Sequence, residues 1–241
     1  MTTIYIIHGW TYTVDPWDRT IKELKANGIK VEMLHVPGLT APSSKVWTIE
    51  DYVKWADKNI PKDAIVLGHS NGGRILLNLL SKKPDKVKHL ILVDAAGIYE
   101  DNKKRDLSRK VSKTFAPLKK IKPFRKVYHK LLGASDYDRA PENMKKTLSN
   151  MLESDKSLDI KKVTTPTTIL WGKKDTITPP SQAEKMHELL PNSTLNFYAN
   201  WSHAPYISDP SGFARALTKT VKNITGVDTS RSLASQTGRV V

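Results

Sequence analysis

The segment Gly68-His69-Ser70-Asn71-Gly72-Gly73 sets a serine hydroxyl among glycines, after the apolar run 64–68 and at the start of a helical pattern. That context calls for a sharp strand-to-helix turn. Side chains at positions 68 and 72 would collide with the strand and the helix, so Gly68 and Gly72 are read as elbow glycines that lift Ser70 out of a sheet. A serine hydroxyl near neutral pH is a poor nucleophile and needs a base to take its proton and an acid to orient that base. Two later segments offer both. Trp171-Gly172-Lys173-Lys174-Asp175 and Trp201-Ser202-His203-Ala204-Pro205 each follow a strand-like run, giving the chain order Ser70, Asp175, His203. Such a set performs acyl transfer through serine, with His203 as base and Asp175 as orienting acid. The backbone N–H groups of Trp10, in His8-Gly9-Trp10, and of Asn71 are candidates for holding a developing oxyanion.

Other residues compete for roles. Asp94, ending the run 87–93, is a rival to Asp175, although strand-end aspartates often bond loop amides instead. His8 and His69 are read as loop braces. Arg74, one helical turn after Ser70, is read as a salt-bridge partner rather than an anchor for a substrate carboxylate.

The elements that must carry these groups alternate along the chain. Strand patterns at 3–7, 30–36, 64–68, 87–93, 167–171 and 195–198 are separated by helical patterns at 16–27, 48–59, 71–81, 180–190 and 209–223, with Thr48 as a cap. Several strands are apolar on both faces, which predicts a parallel sheet covered on both sides, the α/β class. Residues 98–162 break the alternation and turn Lys-rich and helical. Between 101 and 130 twelve Lys or Arg residues face two Asp, a net +10. The expected organisation is a core of residues 1–97 and 163–225, a basic helical lid at 98–162, and a polar tail at 226–241 after the stop signal Gly226.

The combination HGW, GHSNGG, WGKKD and SHAPYISDP resembles the α/β-hydrolase superfamily over residues 3–223. Its start and end are most similar to pimeloyl-acyl-carrier-protein methyl ester esterases and their carboxylesterase relatives. The resemblance implies an α/β-hydrolase fold lacking the first two antiparallel strands, with Ser70 as nucleophile and Trp10 and Asn71 as oxyanion hole. His69 and Asn71 stand where those esterases typically carry Trp and Leu. Serine rather than aspartate at position 70 argues against the dehalogenase and epoxide-hydrolase branches. Aminopeptidase relatives use lid carboxylates to bind a substrate amine, and this lid is poor in them.

Composition narrows the function classes. The 241 residues carry 39 Lys and Arg against 24 Asp and Glu, a formal charge of +15 that points to anionic partners, such as an acidic carrier protein or an anionic surface at the basic lid. With no cysteine, thiol nucleophiles, Cys-ligated zinc and iron–sulfur clusters are excluded. No metal or organic cofactor is expected. No apolar run reaches the ~18 residues of a membrane span, and the start lacks a basic signal-peptide region, so a cytoplasmic location is expected. The expected function is a serine hydrolase of carboxylic esters or thioesters. Two alternatives stand beside it: an esterase directed at an acidic carrier protein docked by the basic lid, and a ligand-sensing protein that keeps the fold without turnover. Specific nucleic-acid binding is not expected, since the basic segment lacks interleaved aromatic residues.

Overall fold

The computed structural model describes residues 1–99 and 140–226. Six strands, β1 (Thr2–Ile7), β2 (Ile29–Leu34), β3 (Ala64–His69), β4 (Val87–Val93), β5 (Thr167–Gly172) and β6 (Ser193–Tyr198), form one sheet in the order β2-β1-β3-β4-β5-β6. Every neighbouring pair is parallel. Parallel neighbours need crossover connections, and helices α1 (Asp18–Ala26), α2 (Ile49–Asn59), α3 (Asn71–Leu80), α4 (Glu142–Ser154), α5 (Pro180–Leu189), α6 (Pro205–Ser208) and α7 (Pro210–Thr225) provide or flank them.

The two-faced apolar strands divide their side chains with period two. Val66, Leu90, Leu92, Ile169 and Trp171 enter a core under α2, α3, α4 and α5, while Ile65, Leu67, Ile91, Val93 and Leu170 enter a second core under α1 and α7. The central sheet is therefore buried on both sides, as the sequence pattern predicts.

Element boundaries shift where backbone bonding outweighs hydropathy. The strand expected at 30–36 ends at Leu34, because the Val36 N–H goes to Thr40 Oγ1 (3.1 Å) and the Val36 carbonyl accepts the N–H groups of Leu39, Thr40 and Ala41. The strand expected from 195 begins at Ser193, where polar Ser193 and Thr194 pair with Thr167 and Thr168. The helix expected over 16–27 opens as a 3-10 turn, Asp15–Trp17, with Pro16 in its first turn. Trp17, fully buried, stacks on Tyr206 with centroids 4.1 Å apart. The Thr48 cap forms a full capping box with Asp51. Asp209 caps α7, and Gly226 closes it at φ 69°, the left-handed C-cap that favours glycine.

Of the expected lid, α4 and the turn Ile160–Lys162 are seen. The basic run 101–130 and the tail beyond Gly226 lie outside the described residues.

Candidate active site

Ser70 sits between β3 and α3 with φ 50° and ψ −119°, a strained conformation for a residue with a side chain. The surrounding glycines make the turn possible. A Cβ on Gly68 would come within 2.7 Å of the Gly73 backbone, and one on Gly72 would overlap the carbonyl of Ile7. The strain is thus held by close packing of β1, β3 and α3, and it leaves the hydroxyl at the carboxyl edge of the sheet.

Asp175 follows β5 and His203 follows β6, and the structure brings both to Ser70. His203 Nε2 lies 2.9 Å from Ser70 Oγ, and its Nδ1 lies 2.8 Å from Asp175 Oδ2. With Nδ1–H donating to the carboxylate, Nε2 is left as the acceptor facing the hydroxyl. The Asp175 side chain is fully buried, while His203 keeps 15% exposure toward the cavity.

The loop after β5 wraps its own carboxylate. Asp175 Oδ1 accepts the N–H groups of Ile177 (2.7 Å) and Thr178 (3.0 Å), and Oδ2 accepts the Thr178 hydroxyl at 2.6 Å. Burial pushes the Asp175 carboxyl upward, but the bonds from His203, Thr178 and Ile177 outweigh it and hold the group below the usual carboxylate range. Thr178 was not among the expected site residues. Its Oγ1 also lies 3.1 Å from His203 Nδ1, and the Asp-x-x-Thr spacing, a common side-chain turn, is the sequence signal for it.

The two expected braces act on the loops around the serine. His8 donates Nδ1–H to the Gly9 carbonyl (2.7 Å), and its Nε2 accepts the Thr40 hydroxyl at 2.7 Å. Burial lowers His8 to about 4, so it is neutral near pH 7. His69 donates Nε2–H to the His203 carbonyl at 2.7 Å and packs edge-on against Trp17 and Tyr206; burial, aided by nearby His203, lowers it to about 3.

Trp10 and Asn71 both line the cavity beside Ser70, and among the described residues neither backbone N–H has a hydrogen-bond partner. Arg74 forms a buried bidentate pair with Asp155 (2.7 and 2.9 Å) and donates to Asn71 Oδ1 at 2.6 Å, so it is a salt-bridge partner as expected. Sequence reading did not supply Asp155, which lies 81 positions away. Asp94 does not bond His203; its Oδ1 accepts the Gly172 N–H (2.8 Å), and burial pushes its carboxyl well above the ordinary range.

The cavity over Ser70 holds about 390 Å³ and combines apolar walls from Trp10, Leu148, Ile177 and Tyr206 with the cations Arg74 and Lys174. Leu148 comes from α4, so the expected lid region contributes directly to the wall. Among the described residues no group of His, Cys, Asp and Glu is arranged to hold a metal. No helix among them is long and apolar enough to cross a membrane.

The chain is similar to known proteins in sequence and fold. The Hydrolase_4 profile, described as serine aminopeptidase S33, matches residues 1–210. A pimeloyl-[acyl-carrier protein] methyl ester esterase of Neisseria meningitidis is 27% identical over 96% of this chain and 80% of its own length. The protein of that name from Salmonella paratyphi A is 26% identical over 89% of this chain and 91% of its own. Among solved structures, an α/β hydrolase enzyme from the metagenome of Mar Chica lagoon sediments superposes with TM-score 0.65 at 26% identity, covering 92% of this chain and 91% of that one. A monoacylglycerol lipase of Paleococcus ferrophilus shares the fold at TM-score 0.62 and 20% identity, covering 92% and 94%.

Proposed function

Because the chain belongs to the serine aminopeptidase S33 family of α/β-hydrolases, we propose that it is an esterase that cleaves carboxylic esters or thioesters through an acyl-enzyme on Ser70. The observation that carries this reading is the continuous bonding from Ser70 Oγ through His203 to Asp175 at 2.9 and 2.8 Å. Ser70 Oγ attacks the acyl carbonyl carbon while its proton passes to His203 Nε2. The Trp10 and Asn71 N–H groups receive the oxyanion, and Asp175 stabilises the imidazolium without taking its proton. Collapse breaks the bond to the alcohol or thiol, which leaves with the proton from His203. Water, activated by the same imidazole, then attacks the acyl-enzyme and frees the acid and Ser70.

The cavity wall favours an acyl substrate over a peptide amine. It carries Lys174, beside an Arg74 whose charge is already paired with Asp155, and, among the described residues, no carboxylate to hold an ammonium. The names of the Neisseria and Salmonella relatives support a carrier-borne acyl ester as the substrate class. In that reading residues 98–162 form a lid over the core and the net +10 of residues 101–130 attracts the acidic carrier.

Labelling with a fluorophosphonate tests the nucleophile without assuming a substrate. The expected result is one covalent adduct, mapped to Ser70 by peptide mass spectrometry and lost in His203→Ala. Labelling at another residue, or undiminished labelling in that variant, overturns the assignment.

A further inference from the structure

Asn71 offers its backbone N–H to the oxyanion, and its side chain brings a second polar group to the same place. The residue is 3% exposed and lines the cavity over Ser70. Hydrogen bonding settles which way its amide faces. Arg74 Nη1 donates to Asn71 Oδ1 at 2.6 Å, and a guanidinium has donors only, so the carbonyl end of the amide meets Arg74 and the NH2 end faces elsewhere. Arg74 is not free to swing aside and let the amide turn, because its Nε and Nη2 are bound to Asp155 at 2.7 and 2.9 Å in a buried pair. The NH2 end has no acceptor among the described residues. The sealed polar atoms without a partner there are Trp10 Nε1, Trp17 Nε1, His69 Nδ1, Asp94 Oδ2 and Thr218 Oγ1. Asn71 Nδ2 is not one of them, so the little exposure left to the residue includes this nitrogen, and the space it meets is the cavity.

We propose that Asn71 Nδ2 is a specificity-determining donor, which selects esters carrying a second, uncharged oxygen acceptor within a few bonds of the scissile carbonyl. A donor left open in a buried site is unfavourable, and an acceptor brought by the substrate relieves it. A substrate without that acceptor is rejected, because it displaces water from the amide and gives nothing in return. The orientation fixed by Arg74 and Asp155 means that little freedom is lost when the bond forms. The position follows from the chain. Residue 71 adjoins the nucleophile, with its Cα about 3.8 Å from that of Ser70, so a short amide side chain meets only substrate atoms close to the reacting carbonyl. The uncharged class follows from the electrostatics. The Arg74 cation behind the amide is already paired with Asp155, so a carboxylate at this point would meet a neutral dipole, whereas an ether, hydroxyl or ketone oxygen suits it.

The proposal rests on the esterase reading, and its test separates failure of the two. Three pairs of esters differ by one CH2 exchanged for O. Ethyl pentanoate with ethyl 3-methoxypropanoate, and ethyl butanoate with ethyl methoxyacetate, place the oxygen in the acyl part, while butyl butanoate with 2-methoxyethyl butanoate places it in the alcohol. Acid release gives kcat/KM for wild type, Asn71→Leu and Asn71→Asp. The leucine variant removes the whole amide, and the aspartate variant keeps an oxygen for Arg74, and with it the local packing, but has no N–H to donate. Ratios within a pair, compared between proteins, cancel the intrinsic reactivity of each ester and any general loss of activity at a position beside Ser70. In at least one pair wild type should favour the oxygen-bearing ester about threefold to tenfold more than either variant does, the fold-change of one neutral hydrogen bond. The pair that responds shows whether the acceptor belongs to the acyl or the alcohol part. Ratios that agree to within about twofold across the three proteins in every pair overturn the proposal and leave the esterase reading standing. A ratio that falls in Asn71→Leu but not in Asn71→Asp reports the polarity of the wall rather than a donor, and overturns it too. Failure of wild type to hydrolyse any of these esters removes both.

Discussion

His69 donates its Nε2–H to the backbone carbonyl of His203 at 2.7 Å, so the residue before the elbow serine holds the loop that presents the histidine facing that serine. One turn of chain therefore fixes both sides of the 2.9 Å contact. The ring is itself packed edge-on against Trp17 and Tyr206, which stack on each other. Replacing it with alanine should lower kcat about tenfold with a smaller change in KM, since the loss falls on alignment rather than on the cavity wall. Steady-state kinetics of His69→Ala beside His69→Gln, which keeps a side-chain donor, check this.

The same burial makes the fold acid-sensitive in a definite window. His69 and His8 bind protons near 6.5 when unfolded but only near 3 and 4 when folded. Between those values the unfolded chain holds more protons, so stability falls as pH drops from about 6.5 toward 4. His89, lowered to about 4 by burial, adds to the slope. Thermal melts from pH 7 to 4.5 should show a falling Tm, and His89→Gln, on the far end of the sheet from Ser70, should make the fall shallower.

Much of this architecture is legible in the sequence for a physical reason. Strand residues such as 64–68 are apolar throughout, and the glycines of the elbow are required by contacts that leave no room for a Cβ, so hydropathy and residue type report them directly. Polar bonding at a distance leaves no such trace. The Arg74 and Asp155 pair, the brace from His69 to the His203 carbonyl, and the β6 start at Ser193 depend on partners that only the folded chain brings near. Thr178 lies between these cases, since its spacing from Asp175 was readable but its contact with His203 was not.

The Arg74 and Asp155 pair is only 5% and 8% exposed. Removing one partner leaves a buried charge, which costs about 3–5 kcal/mol. Asp155→Asn should therefore be strongly destabilised in urea, and the double variant Arg74→Met with Asp155→Leu should recover part of the loss.

Salt separates the carrier-directed reading from a simple esterase. If the basic segment docks an acidic partner, hydrolysis of an acyl-carrier ester should weaken steeply from 50 to 500 mM salt while a small ester is cleaved at a nearly constant rate. Equal salt sensitivity on both substrates would contradict docking by residues 101–130.

The central claim is that Ser70, activated by His203, carries the acyl group. The most direct test is hydrolysis of p-nitrophenyl esters from acetyl to octanoyl by wild type and Ser70→Ala. Turnover by wild type that falls about a thousandfold or more in the variant is the predicted result, and its dependence on chain length would measure the 390 Å³ cavity. Equal hydrolysis by folded Ser70→Ala, or no turnover by wild type on any ester of the series or on an acyl-carrier ester, would contradict it.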